Sequence, residues 1–378
     1  MAGIYLHIPF CASRCAYCDF FSTLRLQQAG EPYVEALVTE ARLRRDELRG
    51  ESVRTLYLGG GTPSQLPIPL LQHLVEGLRK EFDLSDLEEF TIEANPDDVT
   101  PEWCAALPLL GVNRVSMGVQ SFEDHILRAI GRRHTARQAI EAVANLRQAG
   151  INNISIDLIY GLPGQTLESW TESVRQALEL APQHISAYGL TYEVGTRLWH
   201  QRERGEVIEV PEEQCLEMYR ILMDSLQAAG YEHYEISNFA LPGYHSRHNS
   251  SYWDDTPYLG LGAAAHSYDG TVRRYNPSDL QTYIDKIKAG KSAFVQEELT
   301  RWERYDERVM LGLRTASGVN ADRLRQDFGN EAWTHFTKEA RPHTATGNLR
   351  VTADNRYVLT RNGIMLSDTI IRDLMWDE

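Results

Sequence analysis

The chain has 378 residues, 42% hydrophobic and 24% charged, an ordinary globular composition with room for one large domain and a smaller one. Its 38 basic and 53 acidic residues leave a net charge of -15, which opposes the phosphate neutralisation behind nucleic-acid affinity and argues against such a partner. No basic region leads into a long apolar stretch, no run reaches transmembrane length, and five cysteines with three inside eight positions do not resemble a secreted disulfide framework, so a cytoplasmic protein with a metal site is expected.

Short β-rich runs recur at residues 4–8, 55–58, 90–94, 115–119, 154–159 and 185–190, with amphipathic stretches between them. Over residues 33–48 the apolar positions Val34, Leu37, Val38, Ala41 and Leu48 follow a helical spacing. Gly150 reads as the C-terminal cap of another helix, behind Ala139, Ile140, Val143, Leu146 and Ala149. Six strand-helix units follow, the sixth ending in a helix over 211–229 that opens on Pro211 and two glutamates and stops at Gly230.

Alternation of this kind predicts a parallel sheet, either doubly wound or barrel-like. Because nearly all the unusual residues fall at or just past strand C-termini, a partial (β/α)6 TIM-like barrel over 1–230 is expected. Residues 231–276 are rich in Gly, Asn, Ser, Tyr and His and read as functional loop, so 231–299 is taken as a loop-rich connecting segment. The remainder, 300–378, reads as a small helical domain with a strand pair near 349–359 turning at Asp354 and Asn355.

Cys11, Cys15 and Cys18 lie on one loop directly after the first strand. Thiolates suit iron-sulfur clusters, which usually take four, so three leave one iron open to a small molecule. On residues alone, the same loop would also suit zinc with His7 as fourth ligand, or be unrelated buried thiols. Gly59-Gly60-Gly61-Thr62-Pro63 follows the second strand, where glycines let backbone amides approach a ligand.

Together the C-x3-C-x2-C loop and the Gly-Gly-Gly-Thr-Pro motif resemble the radical-SAM superfamily. The longer string from Tyr5 and His7 through Cys11 to Asp19 and Phe20 is similar to oxygen-independent coproporphyrinogen III oxidase and its relatives, the HemW-type haem chaperones. Further stretches carry the likeness along nearly the whole chain: Glu93-Ala-Asn95-Pro96, Gly118-Val-Gln120-Ser121, Gly131-Arg132-Arg133-His134 and Asp157 through Gly164.

The resemblance implies a 4Fe-4S cluster on Cys11, Cys15 and Cys18, with S-adenosylmethionine (SAM) on the open iron and reductive cleavage to an adenosyl radical. It implies that Gly60, Gly61 and Thr62 hold the methionyl end, that Tyr5 packs beside the cluster, and that Glu93, Gln120, Arg132 and Asp157 contact SAM. Carboxylates can accept from an ammonium or ribose hydroxyl, and arginine can pair with a carboxylate.

His248-Asn249-Ser-Ser-Tyr252-Trp253 offers an imidazole and two flat aromatic faces to a porphyrin, and similar sequences occur in the HemW-type chaperones, where the histidine is associated with haem binding. The resemblance thus implies that His248, Asn249, Tyr252 and Trp253 bind haem and that 231–299 is also a haem-binding segment. On its own, a His-Asn pair in a loop is more often a hydrogen-bonded turn. Two departures separate the chain from the oxidases: Phe20 stands where they carry a fourth cysteine, and the first strand begins almost at Met1, where they carry an extension.

The function expected is therefore a haem chaperone serving respiratory haem proteins, with coproporphyrinogen III oxidase as the alternative and SAM turnover left open. An electron donor such as flavodoxin or ferredoxin is implied, and a homodimer is compatible with it. Gly312 through Gly318 and the strand pair resemble the family's winged-helix-like end domain, a fold that does not itself imply DNA binding. Cys104 and Cys215 read as small buried hydrophobes.

Overall fold

The computed structural model describes residues 2–376. Six parallel strands lie side by side in chain order: β1 (Ala2–Ile8), β2 (Val53–Gly60), β3 (Glu89–Ala94), β4 (Arg114–Gln120), β5 (Asn153–Tyr160) and β6 (His184–Gly189). Crossover helices Leu26–Arg44, Ile68–Glu81, Pro101–Leu110, Ala136–Gln148 and Leu167–Glu179 link them. Alternation sets the two faces of the sheet: Ile4, Leu6 and Ile8 of β1 are fully buried, while Tyr5 and His7 line a cavity on the other face.

The six-unit reading holds, with small shifts at element ends. The first helix begins at Leu26 rather than at residue 33 and stops at Arg44. Pro32 lies inside it and removes a donor from the carbonyl of Gln28, which is on the exposed side where water can replace it. Gly150 caps as expected with φ 87°, and Gly230 with φ 83° follows the helix Glu212–Ala228.

Residues 231–276 differ from the loop reading. They form β7 (Glu232–Glu235), β8 (Asn238–Ala240), β9 (Tyr258–Leu261), β10 (His266–Tyr268) and β11 (Val272–Tyr275), and β12 (Val295–Glu298) follows. These strands are three or four residues long, too short for alternation to show, and they form because the parallel sheet offers open edges. β8 and β7 extend it beyond β6, and β9, parallel to β1, begins an extension through β10, β11 and β12. The end strands β12 and β7 do not pair with each other among the described residues, so the barrel is partial.

A second core joins Tyr305, Val309, Leu313, Phe328, Phe336 and Leu374. It lies among the helix Arg301–Arg314, the segment Ala321–Ala345, which is two helices joined at a kink at Gly329, the helix Ser367–Leu374 and a small sheet ordered β13 (Val319–Asn320), β15 (Arg356–Leu359), β14 (Leu349–Val351). Asn355, with φ 56°, makes the turn before β15. Among the described residues, no helix is long and apolar enough to cross a membrane.

Candidate functional site: a thiol-lined cavity at the strand C-termini

Each of the strands β1 to β6 delivers residues to one cavity of about 500 Å³: the cysteine loop after β1, Gly60 of β2, Glu93 of β3, Gly118 of β4, Asp157 of β5 and Tyr188 of β6. This is the end of the sheet where barrel enzymes carry chemistry. Cys11, Cys15 and Cys18 all line it. Burial raises the Cys11 thiol and pushes Cys18 up to about 11, so without a metal both carry protons at neutral pH, and a bound metal would displace them.

Among the described residues, no three His, Cys, Asp or Glu side chains are placed to hold a metal ion. A four-iron cluster asks for a different arrangement, each thiolate taking a separate iron, so that the sulfurs ring a space instead of meeting at a point. Donors to sulfur are already in place. Thr62 Oγ1 donates to Cys11 Sγ at 3.2 Å and Arg132 Nη1 to Cys15 Sγ at 3.4 Å. A thiol-ringed cavity with hydrogen bonds aimed at sulfur fits a cluster held by Cys11, Cys15 and Cys18.

His7 is directed elsewhere. Its Nδ1 meets Tyr5 Oη at 3.1 Å and its Nε2 meets the Phe21 carbonyl at 2.9 Å, so it is no fourth ligand in this arrangement.

The glycine loop is shaped by close approach. Gly60 has φ 109°, and a Cβ there would stand 2.5 Å from the His7 ring. A Cβ on Gly61 would stand 2.7 Å from the carbonyl carbon of Pro9. Gly60 N donates to Glu93 Oε2 at 3.0 Å, and Tyr57 Oη donates to Glu93 Oε1 at 2.8 Å. Burial nonetheless pushes Glu93 up to about 7 and Asp157 up to about 6, as expected of carboxylates withdrawn from water. Ser116 Oγ donates to Asp157 Oδ1 at 3.3 Å.

Arg132 gives one nitrogen to Asn95 Oδ1 at 2.6 Å and to the Gly118 carbonyl, while its Nε is buried with no partner among the described residues. Gln120 sits at φ 67°, where β4 slips register against β5. A non-glycine residue in the left-handed region at a bulge stores backbone strain, here beside the cavity.

Tyr5 does not line the cysteine cavity. It lies in a neighbouring cavity of about 510 Å³ with His7, Phe21, Tyr252, Tyr258 and His266, and the two spaces share Phe20, Gly60 and Glu93.

The four residues of the histidine motif diverge. His248 is fully buried inside the barrel: Nδ1 meets Thr55 Oγ1 at 2.8 Å, and Nε2 meets Tyr252 Oη at 2.8 Å. Burial, helped by Arg114, lowers its pKa to about 3, so the imidazole is neutral. As folded here, neither nitrogen is free for an iron. Asn249 donates its N–H to Ser246 Oγ at 3.3 Å, capping the helix Arg247–Ser251. Tyr252 faces the aromatic cavity, whereas Trp253 faces a third cavity of about 430 Å³ against the C-terminal unit, with Arg314 5.3 Å over its ring.

Sequence reasoning missed Glu89. This buried carboxylate accepts from the backbone N–H of Arg247 at 2.8 Å and of His248 at 3.1 Å, pinning the motif into the barrel floor. It missed Thr55 and Tyr57 as well, which share the inward face of β2 and stand against His248, Tyr57 with its ring 5.1 Å away. Their period-two spacing from Gly59 was the available signal.

The radical-SAM superfamily model matches residues 5–177, and the HemN C-terminal domain model matches residues 299–366. The chain is 40% identical to the heme chaperone HemW of Lactococcus lactis subsp. lactis, over 99% of this chain and 97% of that one. It is 37% identical to the heme chaperone HemW of Bacillus subtilis, over 98% of each. Among solved structures, the radical-SAM coproporphyrinogen III oxidase HemN of Escherichia coli superposes with a TM-score of 0.86 at 25% identity, over 99% of this chain and 90% of that one. With near-full-length relatives, both domain models and the thiol-ringed cavity in agreement, the chain belongs to the radical-SAM superfamily and, within it, to the HemW family.

Proposed function

We propose that the protein is a haem chaperone that binds haem, a 4Fe-4S cluster and SAM, and passes haem to respiratory haem proteins. The observation that carries this reading is the near-full-length likeness to two proteins named heme chaperone HemW. Membership of the superfamily implies a 4Fe-4S cluster and SAM, and reductive cleavage of SAM is the chemistry they supply when bound.

Cys11, Cys15 and Cys18 hold the cluster. Gly60, Gly61 and Thr62 receive the methionyl end of SAM, Glu93 takes its ammonium, Arg132 its carboxylate, and Gln120 and Asp157 the adenosyl part, with Tyr5 behind Gly60. The orphan Nε of Arg132 supports its role, and the pKa values of Glu93 and Asp157, raised by burial, suit carboxylates whose charged form a ligand's N–H or O–H donors would stabilise. For His248 to ligate haem iron, Tyr252 or Thr55 has to give up its hydrogen bond. Five free cysteines suit the reducing cytoplasm, where flavodoxin or ferredoxin serves as electron donor.

Coproporphyrinogen III oxidase activity is the second reading, favoured by the TM-score of 0.86 to HemN. Phe20, 65% exposed at the cavity where the oxidases are expected to carry a fourth cysteine, speaks against it. Incubating the cluster-loaded protein anaerobically with reductant, SAM and coproporphyrinogen, in parallel with haem and an apo-haem protein, separates the two. Haem transfer without decarboxylated product is expected; protoporphyrinogen formation without stable haem uptake overturns the chaperone reading.

A further inference from the structure

We propose that haem, the cargo in the function above on which this inference rests, sits in the aromatic cavity beside the cysteine cavity with its iron on His266. The cavity, about 510 Å³, is walled by Tyr5, Phe20, Phe21, Tyr252 and Tyr258, and its size and aromatic lining suit a flat apolar ligand.

Three histidines stand on or behind its walls, and they differ in what their ring nitrogens already do. His7 is 6% exposed, and both of its nitrogens are engaged, with Tyr5 and with Phe21. His248 lies behind Tyr252 with both nitrogens engaged. His266 is exposed, and neither ring nitrogen has a hydrogen-bond partner among the described residues. An iron needs a nitrogen lone pair, and only the third ring presents one to this cavity without rearrangement.

The His266 ring is also held in place. It stacks on Tyr275 at 5.6 Å and 28°, and the two residues are directly paired across β10 and β11. Burial, and then Arg273, hold its pKa below the ordinary value, so at neutral pH the lone pair is not taken by a proton. A porphyrin in this seat reaches the cluster cavity at Phe20, Gly60 and Glu93, the residues common to both spaces. The histidine motif then contributes through Tyr252, a wall of the seat that His248 holds by its hydroxyl.

The test is haem titration of the cluster-loaded full chain, read by the Soret shift for affinity and by magnetic circular dichroism for the axial ligand. Wild type is expected to take one haem with an imidazole signature. His266→Ala is expected to lose that signature and about tenfold or more in affinity, and His266→Met to exchange it for a thioether signature. His266 is exposed, and unchanged iron and sulfide content in both variants shows that the fold is retained. A His266→Ala variant with wild-type affinity and imidazole signature overturns the seat and leaves the chaperone standing. No haem uptake by wild type overturns the chaperone reading itself.

Discussion

At the scale of single residues, the interior of this barrel is built from polar groups whose charges are suppressed by burial. His7, His134, His184, His233 and His248 all have folded pKa values below the ordinary histidine range, burial being the largest cause of each. Unfolded histidines titrate near 6.5. Below that pH the unfolded chain takes up protons that the folded chain refuses, so stability is fully present above about 6.5 and declines as pH falls toward 3. Urea unfolding of the apo-protein at pH 7.5, 6.5 and 5.5 should show that decline. His248→Gln should be less stable at pH 7.5 by about 1–3 kcal/mol, from loss of the Thr55 or Tyr252 hydrogen bond, and should fall less steeply below 6.5. Glu93 offers a second check. With its pKa at about 7, SAM affinity should strengthen as pH rises through 7, because only the carboxylate form pairs with an ammonium. Glu93→Gln should weaken SAM binding about tenfold and flatten that pH dependence, measured by SAM titration of the cluster's electron paramagnetic resonance. The cysteines and glycines were legible at this scale as a thiol loop and a glycine loop, while the cluster and SAM assigned to them came from the family resemblance and not from spacing. His248 was legible as a motif and not as a place, since nothing in its neighbours announces that Glu89, far off in the chain, accepts from its backbone N–H.

Among elements, the six parallel strands could be read from period, each within two residues of its expected bounds, whereas the first helix starts seven residues before its expected start. The segment after Gly230 could not. Its strands owe their existence to the free edges of β1 and β6, a tertiary cause that leaves no periodicity in three or four residues. Between those strands the helix Arg247–Ser251 enters the barrel floor with its first N–H groups on the Glu89 carboxylate. Glu89→Ala removes that acceptor and leaves two N–H groups inside the fold without a partner. A loss of about 2–4 kcal/mol is expected, and protease cleavage between residues 245 and 255 should quicken. Unchanged protection there would show that the helix is held by packing alone. Gly60→Ala acts at the other end of the same strands: its Cβ meets His7 and its φ is strained, so cluster loading should fall while the far-ultraviolet circular dichroism stays as it is.

For the molecule as a whole, the barrel and the C-terminal unit are tied at a seam of hydrogen bonds, with ion pairs such as Arg308 to Asp255 and Arg361 to Asp224 beside it. Arg314 donates to Glu235 Oε1 at 2.9 Å, Ile236 N donates to the Arg314 carbonyl at 3.0 Å, and Ala316 N donates to the Tyr234 carbonyl at 3.0 Å. Glu235 is 2% exposed, so Arg314→Ala strands a buried carboxylate. About 2 kcal/mol should be lost, and amide exchange at Ala316 and Ile236 should speed up roughly tenfold or more. That seam also bounds the Trp253 cavity, which ties the histidine motif to the end domain. The end domain's existence was readable from its helices and turn, but its docking was not, because an ion pair between residues 235 and 314 has no signature in either segment. The measurement that tests the account most directly is electron paramagnetic resonance of the protein reconstituted anaerobically with iron and sulfide and then reduced, with and without SAM. Four irons per chain and a cluster signal that SAM shifts are expected, both abolished in Cys11→Ala, Cys15→Ala or Cys18→Ala. A loop that takes zinc or no metal, or a cluster signal indifferent to SAM, would contradict the account.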